Sequence, residues 1–133
     1  MKMVQDPELV IIRGVSGSGK TTLAKTHYGT HAHYESDMYF MKNGEYLFDE
    51  KKLRDAHTWC KAMVMKSLDD GFNTVVSNTF TRLWEFQPYL EMTSNVHVIV
   101  CQGKFKSIHG LNSSTISKQR ERFEAYEGEF YYR

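Results

Sequence analysis

Short runs of consecutive apolar residues recur along the chain and end at glycine or polar residues, a pattern typical of strands buried on both faces. The pattern predicts four strands: Leu9–Arg13, a weaker edge strand at His31–Glu35, Phe72–Ser77 and Val96–Cys101. Because such strands carry apolar side chains on both sides, the sheet that they form needs helices on both faces.

Residues between the strands repeat apolar side chains at helical spacing. The predicted helices are Gly19–Tyr28, Asp49–Asp69, Thr81–Thr93 with a kink or break at Pro88, and Ser114–Glu127. Strands that alternate with helices indicate an α/β fold with a parallel sheet and right-handed crossovers. Ligands bind beyond the carboxyl ends of the strands in such sheets, so the residues that follow each strand are the candidates for chemistry.

Length and composition limit the possible functions. The 133 residues are expected to form a single domain, 1–133, and their balance of 41% apolar and 25% charged residues is that of a soluble globular protein. A formal net charge of +1 by itself indicates neither a nucleic-acid partner nor a membrane. Cys60 and Cys101 lie in separate apolar patterns, which favours reduced thiols in a cytoplasmic protein.

The stretch "GVSGSGKTT" matches the phosphate-binding pattern G-x-x-x-x-G-K-[ST] between a buried strand and a helix. Glycines let backbone amides approach phosphate oxygens, and the helix N-terminus adds positive charge. Lys20 is expected to reach the β- and γ-phosphates of ATP, and the Thr21 hydroxyl to bind Mg²⁺. The predicted nucleotide-binding residues are Gly14, Ser16, Gly17, Ser18, Gly19, Lys20, Thr21 and Thr22.

Polar side chains follow the second and third predicted strands. Asp37 is placed to take a proton from an acceptor hydroxyl, to hold Mg²⁺ through water, or to cap the next segment. At the end of the third predicted strand, Ser77, Asn78 and Thr79 suit either the orientation of an acceptor or a simple turn. With the aromatic Tyr39, which offers a stacking surface, Asn78 and Thr79 are our candidate substrate-binding residues.

The strongest charge asymmetry lies between Gly103 and Arg122. This segment contains five basic residues and a single acidic one, a composition that suits a lid over phosphates; the basic residues are Lys104, Lys106, Lys118, Arg120 and Arg122. If the helix continues to Glu127, Arg120 and Arg122 flank its apolar stripe on opposite sides. Both are therefore candidates for the lid arginine, and the choice between them stays open.

Five segments together resemble small polynucleotide-kinase-like P-loop proteins, a family that includes bacteriophage 5′-polynucleotide kinases. In chain order they are "LVIIRGVSGSGKTTLAK", "YESDMYF", "NGEYLFDEKKLRDAHTWC", "VVSNTFTRLWEFQPY" and "IHGLNSSTISKQRERFE". The resemblance implies a three-layer P-loop kinase fold, whose four parallel strands take the order 2-3-1-4, with a lid over about residues 103–122. The segment "EFYYR" at residues 129–133 is a candidate fifth strand at an edge.

The resemblance also implies an activity. Asp37 matches the catalytic base, Lys20 belongs to the phosphate loop, and Arg122 or Arg120 matches the lid arginine. The expected reaction moves the γ-phosphate of Mg-ATP to a hydroxyl of a nucleic acid, with the 5′-hydroxyl of DNA or RNA favoured. Alternative acceptors are a hydroxymethylated DNA base, a nucleoside or a nucleotide, and the rival class is a regulatory nucleotide-binding module with slow ATPase activity. We expect a cytoplasmic location (the host cytoplasm if the gene is a phage gene), no membrane and no obligate protein partner.

Overall fold

The structure is a computed structural model that describes residues 6–103 and 113–132. Its strands are β1 (Leu9–Arg13), β2 (Ala32–Tyr34), β3 (Met41–Lys42), β4 (Glu45–Tyr46), β5 (Thr74–Asn78), β6 (Val96–Cys101) and β7 (Phe130–Tyr132). Its α-helices are α1 (Lys20–His27), α2 (Leu53–Asp69), α3 (Leu83–Leu90) and α4 (Ser113–Arg122), and two short 3₁₀ helices cover Ser36–Phe40 and Glu50–Lys52.

Five strands form one parallel sheet in the order β2-β5-β1-β6-β7. The α/β fold with a parallel sheet is therefore confirmed. The four strands predicted from apolar runs occupy the predicted order 2-3-1-4, and β7 adds the fifth strand beside β6. In the described part of the chain β2 is an edge strand that pairs with β5 alone.

The central strand β1 shows why both faces of the sheet are covered. Leu9 and Ile11 point into a cluster formed with α2 and α3, whereas Val10 and Ile12 pack with Leu23 and other residues of α1 on the opposite face. All four side chains are at most 1% exposed. The period-two alternation of a strand thus divides one apolar run between two cores.

Several element boundaries differ from the prediction. The long helix expected from Asp49 divides into a 3₁₀ turn and α2, and the Asp49 carboxylate caps that turn by accepting a hydrogen bond from the Lys51 amide. The helix predicted over Thr81–Thr93 covers only Leu83–Leu90, and Pro88 lies inside it rather than at a break. Helix α4 ends at Arg122, and the prediction that it continues to Glu127 is wrong.

The early end of α4 follows from a buried arginine at the end of β1. Arg13, which is 0% exposed, donates from Nη2 to the carbonyl of Glu124 at 2.7 Å and pairs through Nη1 with Glu129 at 2.6 Å. The same guanidinium donates to the carbonyl of Phe80, at 3.0 Å from Nε and 2.8 Å from Nη2. These bonds hold the chain after α4 against the sheet in a non-helical path.

A small hairpin that the apolar pattern did not predict lies between β2 and α2. Strands β3 and β4 pair antiparallel around Asn43 and Gly44, which have φ angles of 53° and 81°. Left-handed angles at an Asn-Gly pair are typical of a tight hairpin turn. The hairpin positions aromatic side chains beside the end of β2.

Two further observations concern the predicted lid and membrane contact. Of the predicted lid, Gly103 and α4 are described, whereas Lys104 and Lys106 lie outside the described residues. Within residues 6–103 and 113–132, no helix has both the length and the apolar character needed to cross a bilayer.

Candidate active site

A cavity of about 540 Å³ opens at the carboxyl ends of the central strands, where the parallel topology predicts a ligand. Residues from the phosphate loop, the 3₁₀ helix after β2, the end of β5 and α4 line it. Nine of the predicted site residues meet there: Ser16, Gly17, Gly19, Lys20, Thr21, Thr22, Asp37, Asn78 and Thr79.

The phosphate loop takes a conformation that depends on its glycines. Gly17 and Gly19 have φ angles of 78° and 97°, in the left-handed region that L side chains rarely adopt. A Cβ on Gly14 would lie 2.5 Å from the Ser18 Oγ and 2.8 Å from the Cys101 carbonyl. Gly14 and Ser18 thus lie beneath the loop and not on the cavity wall. The Ser18 hydroxyl is buried and has no hydrogen-bond partner among the described residues.

Lys20 is the cation at the centre of the loop. Its Nζ donates to the Val15 carbonyl at 3.1 Å, which keeps the ammonium folded over the loop. Burial lowers the pKa of Lys20, while the negative charges of Glu35 and Asp37 act in the opposite direction. A phosphate anion in the cavity would add further negative charge and favour the ammonium form.

Glu35 collects the polar side chains next to Thr21. Its Oε2 accepts hydrogen bonds from the Thr21 hydroxyl at 2.6 Å and the Ser77 hydroxyl at 2.5 Å, and His33 Nε2 lies 3.0 Å away. Burial alone would raise the pKa of Glu35, but the hydrogen bonds from His33, Ser77 and Thr21 outweigh it and lower the pKa to about 2. Glu35 is therefore a carboxylate at neutral pH, held against the Thr21 hydroxyl.

We expect the replacement Glu35→Gln to flatten the acid dependence of stability. The folded-state pKa of about 2 lies below the usual 4.5, so the contribution of Glu35 is fully present above pH 4.5 and is lost as the pH falls toward 2. A shift of this size corresponds to about 3 kcal/mol. Urea unfolding between pH 7 and pH 2 measures the effect as a difference in the free energy of unfolding between wild type and variant, which we expect to shrink as the pH falls. Glu91→Gln, at an exposed site after α3, is the control and should leave the pH dependence of stability unchanged. If Glu35→Gln loses as much stability between pH 4.5 and pH 2 as the wild type does, the expectation is wrong.

Asp37 stands on the short 3₁₀ helix after β2, and the surrounding contacts fix that helix. The Ser36 amide donates to Asn78 Oδ1 at 2.8 Å, so the tip of β5 holds the start of the helix. At its other end, the Phe40 ring is 2% exposed. The Tyr46 hydroxyl donates to Asp37 Oδ1 at 3.1 Å, which orients the carboxylate from the hairpin. Asn78, expected as a substrate contact, therefore also positions Asp37.

The donor atoms around Thr21 match the preference of Mg²⁺ for oxygen. The Thr21 hydroxyl and the Glu35 carboxylate already share a hydrogen bond, and Asp37 lines the same cavity. Hydroxyl and carboxylate oxygens, completed by water and phosphate, form the usual magnesium environment of nucleotide sites. The residues present therefore fit a magnesium ion.

Three other predicted residues lie away from the cavity wall that the described residues form. Tyr39 packs its ring against Phe40 and Trp59, with centroids 5.5 and 6.1 Å away. Arg122 places its Nη2 3.9 Å from Glu85, and Arg120 is exposed on α4. The structure does not bring these side chains together with the phosphate loop.

Helix α4 instead faces the loop with neutral polar residues. Gln119 accepts a hydrogen bond from the Ser16 amide at 2.8 Å and donates to the Ser16 hydroxyl at 3.0 Å. Thr115, one turn earlier, also lines the cavity. The side of α4 that meets the phosphate loop is thus Thr115 and Gln119, at i and i+4 spacing.

Several cavity residues were not among the predicted site residues: Glu35, Ser36, Phe40, Tyr46, Phe48, Leu53, His57, Thr115 and Gln119. Glu35 carried a usable signal, because it follows β2 directly and stands two residues before Asp37. Tyr46 and Phe48 follow an Asn-Gly turn, which is a hairpin signal. Nothing in the local pattern around Gln119 distinguishes it from an exposed helical glutamine.

Comparisons with known proteins identify a family, a similar sequence and similar folds. The model of a family described as AAA domain matches residues 9–103. The chain is similar to human NEDD4-binding protein 2, with 29% identity in an alignment of 135 residues, gaps included, that covers 89% of this chain. The chain spans only 8% of the length of that relative.

Solved structures with similar folds are named as kinases or as parts of a repair complex. A sugar kinase from Janibacter sp. HTCC2649 has a TM-score of 0.69 and 18% identity, over 95% of this chain and 83% of its own. A gluconokinase from Sinorhizobium meliloti 1021 has a TM-score of 0.62 and 17% identity, over 96% and 83%. A Pnkp1/Rnl/Hen1 RNA repair complex has a TM-score of 0.61 and 19% identity, over 92% and 48%. At these identities the likeness establishes the fold, which is that of P-loop kinases.

Proposed function

Because the chain belongs to the AAA domain family and has the fold of P-loop kinases, we propose that it transfers the γ-phosphate of Mg-ATP to a hydroxyl of a nucleic acid. The favoured acceptor is the 5′-hydroxyl of DNA or RNA. One observation carries the proposal: the phosphate loop and Asp37 line the same cavity, so the phosphate donor and the carboxylate that would take the acceptor's proton meet in one space.

The donor is held by the loop between β1 and α1. Backbone amides and the helix N-terminus bind the phosphates, and Lys20 lies over them as a cation. Thr21 and Glu35 would hold magnesium, either directly or through water, and the bound ion would neutralise charge on the transferring group. Arg120 and Arg122 remain our candidates for the lid arginine, since α4, which carries them, contacts the loop through Gln119.

The proposed phosphoryl transfer needs no reactant other than ATP and the acceptor hydroxyl. A bond forms between the acceptor oxygen and the γ-phosphorus, the bond from that phosphorus to the β–γ bridging oxygen breaks, and ADP leaves. The proton of the acceptor hydroxyl passes to the Asp37 carboxylate. Tyr46 holds one oxygen of Asp37 at 3.1 Å and so helps to aim the carboxylate.

Two considerations favour a nucleic acid over a sugar acid as the acceptor. One similar structure is named as an RNA repair complex, and the chain resembles polynucleotide kinases along most of its length. The cavity wall that is hydrogen-bonded to Asp37 through Tyr46 is aromatic, and a flat aromatic face suits a nucleobase.

The experiment is a transfer assay with γ-labelled ATP and magnesium. The acceptor panel contains 5′-hydroxyl DNA and RNA oligonucleotides, duplex DNA with a hydroxymethylated base, nucleosides, nucleotides and gluconate. Label on the 5′ end of an oligonucleotide is the expected result. Label that appears only as free phosphate would favour the regulatory nucleotide-binding module, and label on another acceptor would replace the nucleic-acid proposal.

The replacement Asp37→Asn tests the role of the carboxylate in the same assay. We expect transfer to fall by about 10²–10⁴-fold, the usual contribution of a positioned base, without weaker ATP binding. Calorimetric titration with Mg-ATP checks the binding. Asp69→Asn, at an exposed position on α2, is the matched control and should transfer phosphate at the wild-type rate. A normal rate in Asp37→Asn would remove Asp37 from the mechanism.

A further inference from the structure

Three aromatic rings form one side of the cavity, and we call Phe40, Tyr46 and Phe48 the aromatic wall. Phe40 is 2% exposed and lies beneath the other two, with centroids 5.1 Å from Phe48 and 6.2 Å from Tyr46 in edge-on contact. The rings of Tyr46 and Phe48 are nearly parallel, at 20°, with centroids 6.3 Å apart. The wall is therefore a supported surface and not a set of loose side chains.

The aromatic wall remains open to a ligand. Phe48 keeps 51% of its surface exposed although its ring lines a cavity. Leu53, at the start of α2, extends the same apolar side and is 38% exposed. An exposed aromatic surface inside a concave site gains free energy when a flat apolar group covers it.

The wall is tied to the proposed catalytic base. The Tyr46 hydroxyl donates to Asp37 Oδ1, so the carboxylate and the wall belong to one connected unit. In-line transfer requires the donor and the acceptor on opposite sides of the γ-phosphorus. Asp37 marks the acceptor side under the proposed function, and the wall bonded to it lies on that side.

We propose that the aromatic wall is the acceptor subsite, where the nucleobase next to the reacting 5′-hydroxyl stacks on Phe48 and Tyr46. This proposal rests on the proposed function and names the part of the acceptor that the site recognises. Stacking suits every nucleobase, because each has a flat π-face, so the subsite selects nucleic-acid or nucleoside acceptors over sugars with little preference for sequence.

The main test compares two 5′-hydroxyl oligonucleotides that differ only in the terminal nucleotide, one natural and one abasic. For the wild-type protein we expect the abasic acceptor to have a KM about tenfold higher, which is within the range of one base stacked on one aromatic ring. For Phe48→Ala we expect the natural acceptor to show the same increase and the abasic acceptor no further one. The affinity for Mg-ATP should not change.

Variants of the same residue type control for general damage. Phe72→Ala removes a phenyl ring that is 60% exposed between α2 and β5, at the opposite end of the sheet, and should leave both KM values unchanged. Phe48→Tyr keeps a stacking ring and should keep the discrimination between acceptors. The wild-type comparison of natural and abasic ends needs no substitution, so it can overturn the subsite even if Phe48→Ala does not fold, and Phe48→Tyr then tests the assignment to the wall.

Binding without turnover separates this inference from the proposed function. Fluorescence anisotropy of labelled oligonucleotides measures whether the terminal base and Phe48 contribute to affinity. Base-dependent binding without transfer would support the subsite and overturn the kinase proposal. Transfer that is equal with and without the base would overturn the subsite and leave the kinase proposal standing. A loss of ATP affinity in Phe48→Ala would assign the wall to the donor base and also overturn the subsite.

Discussion

Replacing Arg13 by methionine is expected to lower the free energy of unfolding by about 3–5 kcal/mol, the usual effect of removing one partner from a buried ion pair. The substitution leaves the Glu129 carboxylate, whose side chain is 2% exposed, without its cation. It also removes the donors to the backbone carbonyls of Phe80, Thr81 and Glu124. Urea unfolding followed by circular dichroism measures the loss.

The packing around Arg13 supports so large an effect. Its guanidinium carbon lies 4.5 Å from the centroid of the Phe86 ring and 4.1 Å from that of Phe123, so aromatic faces cover the charge. Arg54→Met, at an exposed position on α2, is the control and should change stability little. The double variant Arg13→Met, Glu129→Leu should recover part of the loss, because it no longer buries a lone charge. A loss below about 1 kcal/mol in Arg13→Met would contradict the expectation, since that value is typical of exposed pairs.

Replacing Lys20 by alanine is expected to reduce phosphoryl transfer by about three orders of magnitude, the loss that follows removal of a preorganised donor to transition-state charge. Lys20 lines the cavity, and its ammonium is held over the loop by the Val15 carbonyl at 3.1 Å. The labelled-ATP assay measures the rate, and calorimetry with Mg-ATP measures binding.

The matched control for Lys20→Ala is Lys25→Ala, which removes the same charge from an exposed position near the end of α1. We expect this variant to bind Mg-ATP and transfer phosphate as the wild type does. Undiminished transfer in Lys20→Ala would show that the loop acts without its cation, and the kinase mechanism proposed here would be wrong.

Much of the fold could be predicted because β1, β5 and β6 are apolar on both faces. That property requires a parallel sheet with helices on both sides, and the sheet then brings Thr21 and Asp37 to one edge. The clustering of these residues is thus a consequence of topology. The local pattern was sufficient because Thr21 lies in the first turn of the helix after the first predicted strand, and Asp37 stands two residues after the second.

The parts that could not be predicted depend on contacts between distant residues. The prediction for α4 assumed that the helix continues to Glu127, and only on that assumption do Arg120 and Arg122 flank its apolar stripe. Arg13, more than a hundred residues earlier in the chain, draws the segment after Arg122 out of the helix. No pattern within α4 contains that information.

The role of Glu35 likewise depends on partners from three elements. Thr21 is on α1, Ser77 on β5 and His33 on β2, and their hydrogen bonds converge on one carboxylate oxygen. The position of Glu35 after β2 is a signal in the sequence, but only the strand order β2-β5-β1 brings Ser77 and Thr21 to its carboxylate. The lid arginine and the identity of the acceptor remain predictions.

The bond between Gln119 and the Ser16 amide has a thermodynamic consequence. A phosphate oxygen that binds this amide must displace the side-chain carbonyl of Gln119. The gain in binding free energy at this donor is therefore the difference between the free energies of the two hydrogen bonds. The exchange favours the anion, because charge-assisted hydrogen bonds are stronger than neutral ones. By reciprocity, the contact of α4 with the loop lowers the affinity for the nucleotide by the same factor by which the bound nucleotide destabilises that contact. The nucleotide phosphate and the Gln119 side chain of α4 are therefore competing ligands of a single N–H group.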